Sequence, residues 1–138
     1  MRFMMLMMPA NYAQFAPDAK PSLEDIQRMM QYNFSLGQAG VLLALDGLHP
    51  PSAGTRVTSV DGKTHIVDGP FAEAKELIGG YWIIDVASRE EAVQWASRCP
   101  IAPGDTIEVR QMFEMTDFPA DVQKAVADAH QAAGVPET

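Results

Sequence analysis

Cysteine is almost absent: Cys99 is the single one in 138 residues. No internal disulfide can form, a cysteine-rich zinc site is excluded, and the usage suits a reducing compartment. Cations are scarce too, ten Lys and Arg against eighteen Asp and Glu, for a formal charge of −8. They are scattered singly, so neither a phosphate-binding surface nor a nucleic-acid partner is expected. No apolar run reaches the roughly eighteen residues that cross a bilayer. The methionine-rich opening, residues 1–8, is too short for a signal peptide, so no membrane contact and a cytoplasmic location are expected. There is no HxH or HExxH spacing to hold a metal. Gly79-Gly80 lacks the lysine-bearing loop and following helix that would cradle a phosphate. No metal and no cofactor are therefore expected.

What is present is a globular composition, 47% apolar and 20% charged, of a length that supports one core. Residues 3–8 are a continuous apolar run ended by Pro9 and read as a buried strand. Ser22 is placed to cap a helix with Glu24 and Asp25 in its first turn. Leu23, Ile26, Met29, Met30 and Phe34 recur at helical spacing as one apolar stripe, the pattern of a core-facing side, and Gly37 or Gly40 ends the helix. Residues 41–45 read as a strand, and 55–60 and 64–67 alternate around an Asp61-Gly62 hairpin turn. Residues 81–86 are the clearest interior strand. Ser88 and Glu91 form a capping box for a helix that Pro100 stops; residues 106–113 alternate as a last strand. Beyond Asp117 an amphipathic helix ends at Gly134.

This order predicts an α+β fold, a ferredoxin-like plait with an antiparallel sheet. Helices on one face leave the other face apolar, so a homodimer formed through the sheet is expected.

Two polar segments nominate a site. His49 follows Asp46 by three residues, and a histidine beside a carboxylate can act as a general base near neutral pH. The plainer reading is a loop histidine ahead of Pro50-Pro51. Asp68 opens the turn Asp68-Gly69-Pro70-Phe71, where an Asx-turn and a positive φ at Gly69 suit the residue types; this turn reads as structural before catalytic. Glu76 and Lys75 are candidates to hold a polar ligand, alongside Glu73. Asp85 and Arg110 each sit inside a predicted strand. They are expected to pair if their strands are neighbours, and otherwise Arg110 is free to bind an anionic ligand. Cys99 reads as a packed thiol.

The stretch D-G-P-F-A-E-A-K-E-L-I-G-G-Y-W at 68–82 resembles the YCII-related family, in its DGPF-domain branch. The agreement extends to Met1, Arg2, Phe3 and Met4, to G-V-L-L-A-L-D-G-L-H-P-P at 40–51, to E-E-A-V-Q-W-A-S-R-C-P at 90–100 and to I-E-V-R-Q-M-F-E at 107–114. It covers roughly residues 1–118 as one domain and leaves 119–138 as a helical tail. The resemblance implies a dimeric α+β barrel. It also implies a His–Asp pair proposed as catalytic, and in some members a link to extracytoplasmic-function sigma factors. The match is not residue for residue. The pair in the short members lies on other segments, and Asp46 stands where the branch commonly has glutamate.

Two functions are therefore carried forward. One is a protein that binds an unknown small-molecule ligand, or an enzyme of proton-transfer or lyase type, with His49, Asp46 and Asp68 catalytic and Glu76, Lys75 and Arg110 holding ligand. The other is a non-catalytic regulatory or accessory partner of another protein.

Overall fold

The computed structural model describes residues 1–71 and 76–136. Its elements run β1 (Arg2–Met8), α1 (Leu23–Gln38), β2 (Leu42–Gly47), β3 (Thr55–Val60), β4 (Lys63–Asp68), β5 (Gly80–Asp85), α2 (Arg89–Ser97), β6 (Thr106–Gln111) and α3 (Ala120–Ala133). Four strands form one sheet in the order β2-β5-β1-β6, with every recorded pairing antiparallel. That is how the expected plait interleaves its two β-α-β halves. The hairpin β3–β4 is a separate two-stranded sheet. Among the described residues no helix is long and apolar enough to cross a membrane.

Local signals set the boundaries. Ser22 Oγ accepts from Asp25 N at 3.1 Å and opens α1, which ends before Gly40 at φ 72°. Ser88 Oγ accepts from Glu91 N at 3.1 Å, and Glu91 Oε2 returns to Ala87 N, one residue before the expected partner. The hairpin turns through Asp61 and Gly62, both at positive φ, as a two-residue turn matched to strand twist requires.

The core lies between α1, α2 and one face of the sheet. Phe3, Met5, Trp82 and Ile84 point into it from the strands, joined by Tyr32 and Leu36 of α1, Ala92 of α2, and Cys99. The period of two then sends Met4, Leu6, Tyr81, Ile83, Glu108 and Arg110 to the opposite face. Cross-strand register arranges that face in rows, one reading Asp46, Tyr81, Leu6, Glu108 and the next Ala44, Ile83, Met4, Arg110.

Three expectations need correction. The apolar stripe expected to pack α1 on the core is mostly exposed: Leu23, Met30 and Phe34 face out, while Met29, Tyr32 and Leu36 pack inward. Both faces of this helix carry large apolar groups, so helical spacing alone could not choose between them.

Asp85 and Arg110 do not pair. β1 lies between their strands, Asp85 standing opposite Arg2 and Arg110 opposite Met4. Asp85 instead meets the Met1 amino group at 3.0 Å, and Arg2 meets Glu114 at 2.8 Å.

Gly69 has no positive φ. It is required because a Cβ there would collide with the Pro51 carbonyl oxygen, where the loop ends cross and Gly69 N donates to Gly54 O at 2.8 Å.

Candidate functional site

The polar features gather at the end of the sheet where β2 stops and β5 begins. Asp46 and Tyr81 are cross-strand partners, and the Tyr81 hydroxyl donates to Asp46 Oδ2 at 3.2 Å. Hydrogen bonding to the Asp46 carboxylate, reinforced by its charge, raises the Tyr81 pKa and keeps the phenol protonated as a donor. Gly80 lets the two strands close here, since a Cβ on it would stand 3.0 Å from the Asp46 carbonyl oxygen. Gly79 packs equally tightly on Pro9 and Tyr12. The double glycine thus serves close approach of chain to chain. Leu48 N donates to Gly79 O at 2.8 Å and the Tyr12 hydroxyl donates to Leu48 O at 3.2 Å, tying three loops together.

On the other, helix-covered side of this sheet end a cleft of about 160 Å³ opens, bounded by residues 45–47 and 79–82 of the sheet end and by Met29 and Asn33 from α1. It adjoins a cavity of about 410 Å³ between α1 and the loop at 100–105; Met7, Met29 and Asn33 line both. The Trp82 indole Nε1 donates to Asn33 Oδ1 at 2.8 Å beneath them. A third groove, of about 630 Å³, continues past Met7 towards Tyr12, Leu48 and Pro50.

The expected site residues are dispersed. Asp46 borders the cleft from its place in β2, while its side chain turns to the helix-free face with Tyr81. His49 is exposed, makes no side-chain hydrogen bond among the described residues and lines none of the three cavities above. Asp68 stands at the base of the hairpin, where its Oδ1 accepts from Thr55 Oγ1 at 2.9 Å rather than from backbone N–H groups. Glu76 is exposed, and Arg110 is exposed on the helix-free face without an ion pair among the described residues. Lys75 and Glu73 lie outside the described residues. Among the described residues no three of His, Cys, Asp and Glu converge as metal ligands.

Three contributors were missed in the sequence: Tyr81, Trp82 and Asn33. Tyr81 was legible only as a strand residue, because its link to Asp46 depends on register. Asn33 carried one usable signal, a lone amide four residues after Met29 on an otherwise apolar helix side.

Comparison with known proteins matches residues 1–116 to the YCII-related domain. An uncharacterised protein of Rhizobium meliloti (strain 1021) is 41% identical over 59 residues, which are 43% of this chain and 48% of that protein. The matched stretch thus spans about half of that relative's length.

Proposed function

The chain belongs to the YCII-related domain family, and from that premise and the geometry of the sheet end we propose that it binds a small molecule beside the Asp46–Tyr81 pair. The carrying observation is that this hydrogen-bonded donor–acceptor pair lies on the helix-free face next to Leu6, at the end of a surface that also carries Met4 and Ile83. That is the usual composition of a ligand site, an apolar body with a few oriented polar groups. His49, three residues past Asp46 in the chain, is the titratable group we assign to proton exchange with a bound molecule, with Asp68 as a more remote acid. Arg110 on the helix-free face and the exposed Glu76 are assigned to ligand contact, and Lys75, outside the described residues, is assigned with them.

The helix-free face supports a homodimer as part of this reading. Met4 and Ile83 occupy its middle, half-buried, with Asp46, Glu108 and Arg110 around them. Packing two such faces would remove the apolar centre from water and enclose the Asp46–Tyr81 row. Sedimentation equilibrium is expected to give twice the chain mass of 15.1 kDa. A monomer at micromolar concentration would refute the dimer.

The binding reading is tested by a thermal-shift screen of small neutral, acidic and basic compounds against wild type, Asp46→Asn and Tyr81→Phe. A ligand at tenfold excess over its Kd adds about 1.4 kcal/mol, roughly 3–5 °C in a domain of this size. Compounds that stabilise wild type should lose most of that shift in either variant. If no compound shifts wild type, or if both variants respond as wild type does, the site is wrongly placed. The exposed stripe Leu23, Met30 and Phe34 on α1 would then favour the accessory-partner reading.

A further inference from the structure

We propose that Asn33 is the specificity-determining donor of the cleft, and that the cleft takes a neutral, mainly apolar molecule carrying a carbonyl. This inference goes beyond the reading above, because the cleft lies on the helix-covered side of the sheet and the Asp46–Tyr81 pair on the other.

The orientation of the Asn33 amide follows from its neighbour. An indole Nε1–H can only donate, so the 2.8 Å contact from Trp82 fixes Oδ1 of Asn33 as the acceptor. The amide NH₂ must therefore leave on the other side. It has no hydrogen-bond acceptor among the described residues, and Asn33 lines both the 160 Å³ cleft and the 410 Å³ cavity. Trp82 is itself buried and held edge-on to Tyr32, with ring centroids 5.7 Å apart. The donor is thus aimed by a side chain that has little freedom to turn.

The surroundings restrict the ligand. The larger cavity falls within the range of ordinary small-molecule sites, roughly 300–1,000 Å³. Met7, Met29 and Met30 supply a polarisable, adaptable wall with Ile26 and Pro100. The charges at its edge are already engaged. Asp25 pairs with Arg28 at 2.7 Å, and Asp105 accepts from Ala10 N at 2.9 Å and Ala102 N at 3.1 Å. A ligand anion would meet two carboxylates, and a ligand cation would find both of them already bonded. What remains is one fixed donor in a thioether-lined space, which matches a ketone, ester or amide oxygen on an apolar body.

The test uses two probes with the full-length protein: prodan, a neutral naphthyl ketone whose fluorescence reports its surroundings, and the dimethylaminonaphthalene that lacks the ketone. Wild type should bind prodan about tenfold more tightly than the parent compound, the value of one well-aimed hydrogen bond. Asn33→Asp keeps an oxygen for Trp82 Nε1 but removes the donor. It should bring prodan down to the affinity of the parent, with Trp82 emission and the unfolding midpoint little changed. Equal binding of the two probes to wild type, undetectable binding of prodan, or preserved discrimination in Asn33→Asp would each overturn the inference. Asp46→Asn and Tyr81→Phe alter the opposite face of the sheet and should keep the discrimination; its loss in both would also overturn the inference.

Discussion

Truncating Leu36 to alanine will lower the free energy of unfolding by about 2–5 kcal/mol, while Phe34→Ala, two residues away, will change it by less than about 0.5 kcal/mol. Leu36 is fully buried among Phe3, Met5, Tyr32 and Ile84, whereas Phe34 is 65% exposed. Residues two apart on a helix point about 200° apart, so one of these side chains must face away when the other packs. Deleting the Leu36 side chain removes transfer energy and leaves a cavity that the sheet beneath cannot close. A domain of this size is stable by only roughly 5–15 kcal/mol, so Leu36→Ala stands to lose a large fraction of the total. Urea unfolding followed by circular dichroism decides the matter. Equal losses for the two variants would mean that α1 packs on the stripe containing Leu23, Met30 and Phe34, and the helix would be rotated from the arrangement described.

The second large effect is an alkaline loss of stability coupled to a silent thiol. Burial pushes the Cys99 thiol up to about 12, with the Asp105 charge adding to it, and burial also raises the Tyr32 phenol. Cys99 packs with its Sγ 3.9 Å from Met29 Sδ, and the Tyr32 hydroxyl donates to Trp95 O at 2.7 Å. In both groups the folded state favours the protonated form. The stabilisation is complete below the unfolded pKa values, near 9 and 10, and fades as pH rises towards the folded ones. Between those limits the unfolded chain has released a proton that the folded chain retains, so stability falls by roughly 1.4 kcal/mol per pH unit for each group. The unfolding free energy should therefore be flat around pH 7–8 and drop by several kcal/mol by pH 11. Tyr32→Phe should remove the part that begins near pH 10. At pH 8 the thiolate fraction would be about a thousandfold below that of a free cysteine, so Ellman's reagent should label the native protein at least that much more slowly than the unfolded one. Labelling within seconds in native buffer, or equal stability at pH 8 and pH 11, would contradict the packing of this helix end.

The site was harder to read in advance than the fold, and particular residues show why. Asp46 was visible as an acid at a strand end, but the hydroxyl that engages it comes from Tyr81, thirty-five positions away in sequence. His49 and Asp46 are near in sequence without being bonded; Leu48 between them is held by its amide to Gly79. Asp68 stays with its own hairpin, bonded to Thr55 across the ladder. Proximity along the chain is weak evidence for proximity in a site when strands and loops diverge.

What the sequence determined by itself was governed by local physics. Serine caps at 22 and 88, the positive-φ turn at Asp61-Gly62, the stop at Pro100 and the alternation of strands place the elements in their observed order, because each signal acts within a few residues. Tertiary structure alone decided the rest: which of two apolar sides of α1 is buried, that β1 separates Asp85 from Arg110, and that Trp82 turns the Asn33 amide towards the cleft. These outcomes depend on register and on contacts between residues dozens of positions apart. Many pairings satisfy the same local pattern, and only the packing of the whole sheet against its helices selects one.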